Sequence, residues 1–337
     1  MKNIFKHVQY LLVICCVGSL LARAEAPPER PIRVGVLTYG TVNWEFDLIQ
    51  RHAMDKQFGI NLELVKLSST NALRVALRGG AVDVIVGDWF WVADQNSRGQ
   101  SYFFFPYSTA IGSLLVADNA GINSPADLRG KTLGVAGGPT GKSWLLYKAY
   151  AAQCCGIDLE REVTIKFAAS PILNKLAASG KIDAVINYWH YASELKAQGM
   201  KTLVDPNQAY QLYGIEHDLP VLGWIFSREW GENNSELINR FMQMSFLARK
   251  ELAENSSEQM QVESAFTQQG VRFYASTWQD YAAGIPHHFD TDSIRDMRQL
   301  LQEFIKVSSS AELWAFRDLP MDIFWQDYQI SSQLTSE

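Results

Sequence analysis

Residues 71–99 (NALRVALRGGAVDVIVGDWFWVADQNSRG) and 171–199 (PILNKLAASGKIDAVINYWHYASELKAQG) repeat one another at a constant offset of 100. Gly80 pairs with Gly180, Val82 with Ile182, Asp83 with Asp183, Trp89 with Trp189 and Gly99 with Gly199. Each copy predicts a helix, a glycine stop, a buried strand and a second helix. The strands, Val82–Val86 and Ile182–Ile186, are unbroken apolar runs, the pattern of parallel strands covered on both faces. Each copy also has a matching prelude. Ile32–Leu37 ends in Thr38-Tyr39-Gly40-Thr41, and Thr132–Ala136 ends in Gly137-Gly138-Pro139-Thr140-Gly141. Helices are expected over about 44–58 and 143–155, and strands over 62–67 and 163–167. The β-α-β-α-β order is the crossover unit of open α/β sheets. A period near 100 means two lobes, not a solenoid of shorter repeats.

The chain is 337 residues long. The first 24 predict a secretory signal peptide: Lys2 and Lys6, the 12-residue apolar run Tyr10–Leu21, then Ala22-Arg23-Ala24. The run is too short to span a membrane. Lipoprotein anchoring through Cys15 or Cys16 ranks lower, because the preceding residue is Ile or Cys. Cleavage removes three basic residues and no acid, so the formal charge moves three units below −6. Such an acidic chain is not expected to bind nucleic acid. Residues 25–31 (EAPPERP) predict an irregular lead-in. Of four cysteines, Cys154 and Cys155 remain, either as a vicinal disulfide or as small apolar fillers on a helix.

Ser113–Ala117 reads as a strand leaving lobe 1, and Val221–Ser227 as a strand returning to it. Lobe 1 is therefore expected over 32–114 plus 224–337, and lobe 2 over 115–223. Two crossings would make a hinge. After the return strand the sequence predicts helices over about 234–255, 257–269, 277–283, 292–307 and 320–333.

In open parallel sheets ligands sit at the carboxyl ends of the strands. Those ends here are Thr38–Trp44, Gly87–Trp91, Ala136–Trp144 and Asn187–Tyr191, with Gly223-Trp224 on the return strand. Six of the ten tryptophans (Trp44, Trp89, Trp91, Trp144, Trp189, Trp224) lie in or beside them, joined by Tyr39, Tyr188, Tyr191 and His190. Together they predict an aromatic-lined cleft for a small molecule. Packing of each Trp in its own lobe is the competing reading. Asp88 would pair with a ligand cation or cap the following helix. Ala136–Ser143 (AGGPTGKS) fits a relaxed phosphate-loop pattern. Export to a compartment without ATP and the absence of a metal-binding strand-end Asp argue against a nucleotide hydrolase. The loop can instead offer helix-terminal N–H groups, with Thr140, Lys142 and Ser143, to an acceptor on a ligand, or be simply a tight turn before a capped helix. His287-His288 lack a spaced third metal ligand. No catalytic set, metal or cofactor is expected, and the chain is read as a non-enzyme.

The segments IRVGVLTYGT, G-x-x-D-V-I-V-G-D, INSPADLRGKTLGVAGGPTGKSW and GKIDAVINY resemble the periplasmic substrate-binding proteins of ABC importers. The nearest branch holds the taurine and alkanesulfonate, nitrate/bicarbonate and thiamine-precursor binders. The resemblance covers about residues 32–230. It implies a two-lobe type II fold, each lobe an open, mostly parallel sheet flanked by helices, with a helical C-terminal extension. It also implies a monomer in the periplasm that closes on one small organic ligand and docks on an inner-membrane permease. The matching ligand-contact places are Thr38, Tyr39, Gly40, Thr41, Gly87, Asp88, Trp89, Gly138, Pro139, Thr140, Lys142, Ser143, Asn187, Tyr188 and Trp189, with Trp44, Trp144 and Trp224 added from the aromatic pattern. The tryptophan content favours a ligand with a flat or cationic part: a sulfonate, an amine or a pyrimidine-like compound. The alternatives are an exported accessory or sensor for a periplasmic oxidoreductase and, behind it, a phosphate-loop hydrolase.

Overall fold

The computed structural model describes residues 30–216, 219–308 and 316–326; the signal-peptide reading lies outside these residues. The chain opens with β1 (Ile32–Leu37), α1 (Val42–Arg51), α2 (Met54–Gln57), β2 (Leu62–Leu67), α3 (Thr70–Arg78), β3 (Val84–Asp88), α4 (Trp89–Ser97) and β4 (Tyr102–Ser108). It crosses at 109–113 into β5 (Leu114–Val116), β6 (Thr132–Val135), α5 (Lys142–Cys155), α6 (Leu159–Glu162), β7 (Thr164–Phe167), α7 (Ser170–Ala178), β8 (Ala184–Ile186), α8 (Trp189–Ala197), β9 (Lys201–Val204) and α9 (Pro206–Gln211). It returns through β10 (Leu222–Ser227) and continues as α10 (Arg228–Asn233), α11 (Ser235–Glu254), α12 (Ser256–Thr267), α13 (Thr277–Ala283) and α14 (Thr291–Val307). No helix among the described residues is long and apolar enough to cross a membrane.

Two five-stranded sheets result, ordered β2-β1-β3-β10-β4 and β7-β6-β8-β5-β9. The first three strands of each are parallel; the crossing strands, β10 and β5, pair antiparallel with β3 and β8. This is the two-lobe α/β architecture expected from the repeat.

The repeat has a mechanical meaning. Asp83 Oδ2 accepts from the Arg33 N–H at 2.8 Å, and Asp183 Oδ2 accepts from the Thr132 N–H at 2.7 Å. The two Asp N–H groups return bonds to the Arg33 and Thr132 carbonyls at 2.8 and 2.9 Å. Each Asp thus clamps the start of its sheet's central strand to the strand beside it. Arg33 adds a two-pronged contact to Asp83, at 2.9 and 2.6 Å. One or two residues along β1 and β6, Gly35 and Gly134 let a helix approach closely. A Cβ on Gly35 would lie 3.1 Å from Leu73 and 3.3 Å from Val82; one on Gly134 would lie 2.8 Å from Leu173 and 2.7 Å from Ile182. Leu73 and Leu173, like Val82 and Ile182, are repeat partners.

Two expectations change. Helix 44–58 is broken, because Ala53 takes a left-handed conformation (φ 49) between α1 and α2. Residues 320–326 are not helical: a single 3-10 turn, Met321–Ile323, leads to Phe324, which bridges Phe104, while the Trp325 N–H donates to the Phe104 carbonyl at 3.0 Å. This segment covers the free edge of β4, and satisfying those edge groups outweighs local helix propensity. The remainder of the expected 320–333 helix falls outside the described residues. Cys154 and Cys155 are joined by a disulfide at the end of α5.

Asp183→Ala should cost about 1–3 kcal/mol of unfolding free energy by stranding the Thr132 N–H. Gly134→Val should cost a similar amount, about 1–3 kcal/mol, by overpacking against Leu173 and Ile182. Denaturant melts test both: wild-type stability in Asp183→Ala would remove the clamp from the account of the fold, and in Gly134→Val the close helix approach.

Candidate functional site

The carboxyl ends of both sheets face each other, so the loops after β1, β3, β6 and β8 and the N-termini of α1, α4, α5 and α8 converge on one cleft. Asp88 ends β3. It caps α4 by accepting from the Trp91 N–H at 3.0 Å and pairs with Arg74 at 2.8 Å. Across the cleft, Lys142, the first residue of α5, pairs with Asp88 at 3.2 Å and lies 4.4 Å above the Phe90 ring. Burial pushes the Asp88 carboxyl up, but Lys142, Arg74 and the Trp91 N–H outweigh it and hold it below the usual range. Burial pulls the Lys142 ammonium down, and Asp88 restores only part of that. Of the two roles expected of Asp88 the structure gives the cap, together with a protein cation from the opposite lobe. The lysine of the phosphate-loop pattern is therefore committed to an interlobe ion pair.

Tyr39 and Tyr188 are the exposed rings at the cleft mouth, 60% and 49% accessible. Burial, then Tyr39 and Asp88, raise the Tyr188 hydroxyl; burial, Tyr39 and Glu194 raise that of Tyr191. The loop carrying Thr38, Tyr39, Gly40 and Thr41 is held by Asn43, whose side-chain amide donates to the Leu37 and Gly40 carbonyls at 3.0 Å each. Opposite it, Gly138, Pro139, Thr140 and Ser143 form the surface before and at the start of α5, with Lys142 Nζ donating back to the Thr140 carbonyl at 3.1 Å.

Several expected ligand contacts are core residues. Trp144 and Trp224 are 2% and 0% exposed; the Trp224 indole N–H donates to Ser245 and its ring packs on Phe46 and Phe241. Trp89 is buried and stacked on Phe90. Trp44 is buried among Phe266, Phe273, Trp278 and Tyr281. A large ring at a helix start gains more by filling the gap between helix and sheet than by facing solvent. Asn187 is also internal: it donates to the Ser170 carbonyl and to Asn174 and accepts from the Tyr188 N–H, which fixes the strand end rather than reaching a ligand.

Trp189 lines open space between the lobes. It lies edge-on to Trp44 at 6.2 Å and walls two adjoining cavities that share Ala110, Trp189 and Gly284. The larger, about 270 Å³, lies along the first crossing (109–113) and is lined also by Lys196, Asp205, Tyr210 and Asp280. The smaller, about 20 Å³, is lined by Thr41, Tyr107, Arg249 and Tyr281. Asp280 on α13 joins the lobes by accepting from Ser193 and pairing with Lys196 at 3.4 Å. The crossing itself is pinned. The Tyr147 hydroxyl donates to the Gly112 carbonyl at 3.0 Å, and a Cβ on Gly112 would sit 1.8 Å from the Asn187 carbonyl oxygen. Sequence reasoning missed Tyr107, Lys196, Asp205, Tyr210, Arg249, Asp280 and Tyr281. They lie on the return segments and outer helices, and none forms a motif; only a place after a strand end, as for Asp205 after β9, was a usable signal.

Glu45 lies beneath the small cavity with no exposed surface. Its Oε2 accepts from the Tyr107 hydroxyl at 2.9 Å and is 4.0 Å from Arg249, and its Oε1 has no protein partner. Burial, opposed by Arg249, Ser245 and Tyr107, pushes its pKa up to about 7. His190 is pushed by burial down to about 4.

The fold is a two-lobed α/β architecture of the type II periplasmic kind. Residues 107–258 match the NMT1/THI5-like family. No curated protein matches the sequence. The alkanesulfonate-binding protein SsuA of Xanthomonas axonopodis pv. citri, solved with MOPS, superposes with a TM-score of 0.66 at 16% identity, covering 89% of this chain and 99% of that one. The periplasmic aliphatic sulphonate-binding protein SsuA of Escherichia coli gives 0.67 at 17% identity, covering 89% and 93%. The desulfurization enzyme DSZB gives 0.59 at 14% identity, covering 90% and 98%. The family match spans less than half of the chain, and the solved structures share its fold at 14–17% identity.

Two measurements test this geometry. A double-mutant cycle of Asp88→Ala and Lys142→Ala should give a coupling energy of about 1–3 kcal/mol, because both charges are shielded, although Asp88 keeps Arg74 when Lys142 is removed. Additive effects would show that the pair contributes nothing. Glu45 keeps in the fold a proton that the unfolded chain releases near its ordinary value of 4.5. Its stabilising contribution is full below that value and is lost as pH rises through about 7, by about 3 kcal/mol at 1.36 kcal/mol per pK unit. The isosteric Glu45→Gln variant should therefore gain on the wild type between pH 5 and 8. A pH-independent difference in their unfolding free energies would contradict the buried acid.

Proposed function

We propose that the protein is an exported solute-binding protein that captures a small organic ligand in the interlobe cleft and delivers it to an ABC importer. The observation that carries this reading is the roughly 270 Å³ cavity along the lobe crossing, walled by Trp189 and by charged side chains of both lobes. A ligand there would touch both lobes and the segment joining them, so its binding energy would hold the lobes closed. The predicted leader supports a periplasmic location, and the likeness to two sulfonate-binding proteins supports transport. Ion pairs and aromatic rings, rather than a nucleophile beside a base, furnish the cleft, which supports binding without catalysis. The cysteine disulfide lies at the far end of α5 from the cleft. The ligand class is a sulfonate, an amine or a pyrimidine-like compound, and the protein acts as a monomer toward its permease.

Screening these three classes by thermal shift and intrinsic fluorescence should yield a binder. That binder should raise Tm by a few degrees, with tryptophan emission changing through Trp189. Trp189→Ala should weaken it about tenfold or more, the loss expected of a ring anchoring a ligand. Silence across all three classes would reject the proposal.

A further inference from the structure

The small cavity at the cleft floor has a chemistry of its own. Arg249 is 4% exposed, although its side chain reaches the cavity wall. Its guanidinium donates to the Tyr107 carbonyl and, at 3.4 Å, to the Ser245 carbonyl, and its pairing with Glu45 is loose at 4.0 Å. Guanidinium carries five N–H donors. Two neighbouring buried polar atoms, the Tyr281 hydroxyl and Glu45 Oε1, have no protein partner. Such atoms are costly to leave unmet and are usually satisfied by something that enters. Thr41 adds a hydroxyl at the rim. The walls thus present a fixed cation and hydroxyl donors around a space of about 20 Å³, room for about one oxygen atom. The adjoining cavity of about 270 Å³ has room for the rest of a molecule.

We propose that this floor is an oxyanion subsite, in which Arg249 and the Tyr281 hydroxyl receive one oxygen of a carboxylate or sulfonate head group and Glu45 takes up a proton as the anion enters. The assignment rests on the reading of the cleft as a ligand site and adds the residues, the charge of the head group and the linkage to protons. The linkage follows from which groups can change charge. Arg249 from α11, Tyr107 from β4 and Tyr281 from α13 face Glu45. Burial lifts both tyrosine hydroxyls, so neither ionises near neutrality. His190, beside Trp189, stays neutral because burial holds it near 4. Only Glu45, near 7, changes charge between pH 6 and 8. Ionised, it competes with an anion for Arg249; protonated, it leaves the cation unopposed.

The purified chain is titrated with sodium acetate, sodium methanesulfonate and methylammonium chloride, against sodium chloride at matched ionic strength. Tm and tryptophan emission are read at pH 6 and pH 8, and proton exchange is followed with an indicator in weak buffer. One or both oxyanions should bind about tenfold more tightly at pH 6, with close to one proton taken up per anion at pH 8, while methylammonium has no effect; which oxyanion binds distinguishes the two head groups. Glu45→Gln should bind with the low-pH affinity at both pH values. Tyr281→Phe, which keeps the ring and the fold, should weaken the anion about tenfold. Equal affinity at both pH values, an unaffected Tyr281→Phe variant, or preference for methylammonium would overturn the subsite. If a solute from the wider screen binds wild type, Glu45→Gln and Tyr281→Phe alike, the cleft stands and only the subsite falls. If nothing binds at all, both fall.

Discussion

Each lobe depends on one carboxylate. Asp83 and Asp183 sit just before the central strands β3 and β8 and take the first available N–H of β1 and β6. A parallel sheet has no hairpin to set its register, so an exchange of bonds at the strand start does that work instead. Gly35 and Gly134 complete the arrangement by letting Leu73 and Leu173 press against the strand backbone. With the starts fixed, the strand ends are fixed too, and Asp88 and Tyr188 are brought to one cleft from opposite sides.

What the cleft can do follows from how its charges are shielded. In the compact cluster of Asp88, Lys142 and Arg74, the two cations hold the Asp88 carboxylate ionised, one of them from across the lobe boundary. Glu45 and Arg249 form a looser one, in which burial outweighs attraction and the acid is held near neutrality. The first cluster joins the lobes; the second leaves a cation under open space. Between them stands Trp189, whose indole touches the aromatic core of lobe 1 on one side and the cavities on the other.

The two-lobe plan, the strand ends and the helix starts were legible because burial on both faces leaves continuous apolar runs, and the repeat shows them twice. The strands β4 and β9 were not. Tyr102–Ser108 contains Pro106, which a strand tolerates only because β4 lies at the sheet edge, and Lys201–Val204 is short and polar at its start. The tryptophans show a sharper limit. All six were placed near a strand end, yet Trp44, Trp89, Trp91, Trp144 and Trp224 are buried, while Trp189 lines the two cavities between the lobes. Sequence spacing locates a side chain along an element, but not which of two adjacent spaces it fills.

The sequence by itself determined the α/β class and the two lobes, because these follow from periodicity and from a repeat in a single dimension. Only the tertiary structure decided that Lys142 answers Asp88 across the cleft, that the 320–326 segment seals a sheet edge, and that Glu45 and Arg249 meet Tyr107 and Tyr281 beneath Trp189. Those contacts join residues up to about two hundred positions apart on elements with no shared pattern. Their chemistry comes from burial and from distances of a few ångströms, and both exist only after the lobes have packed.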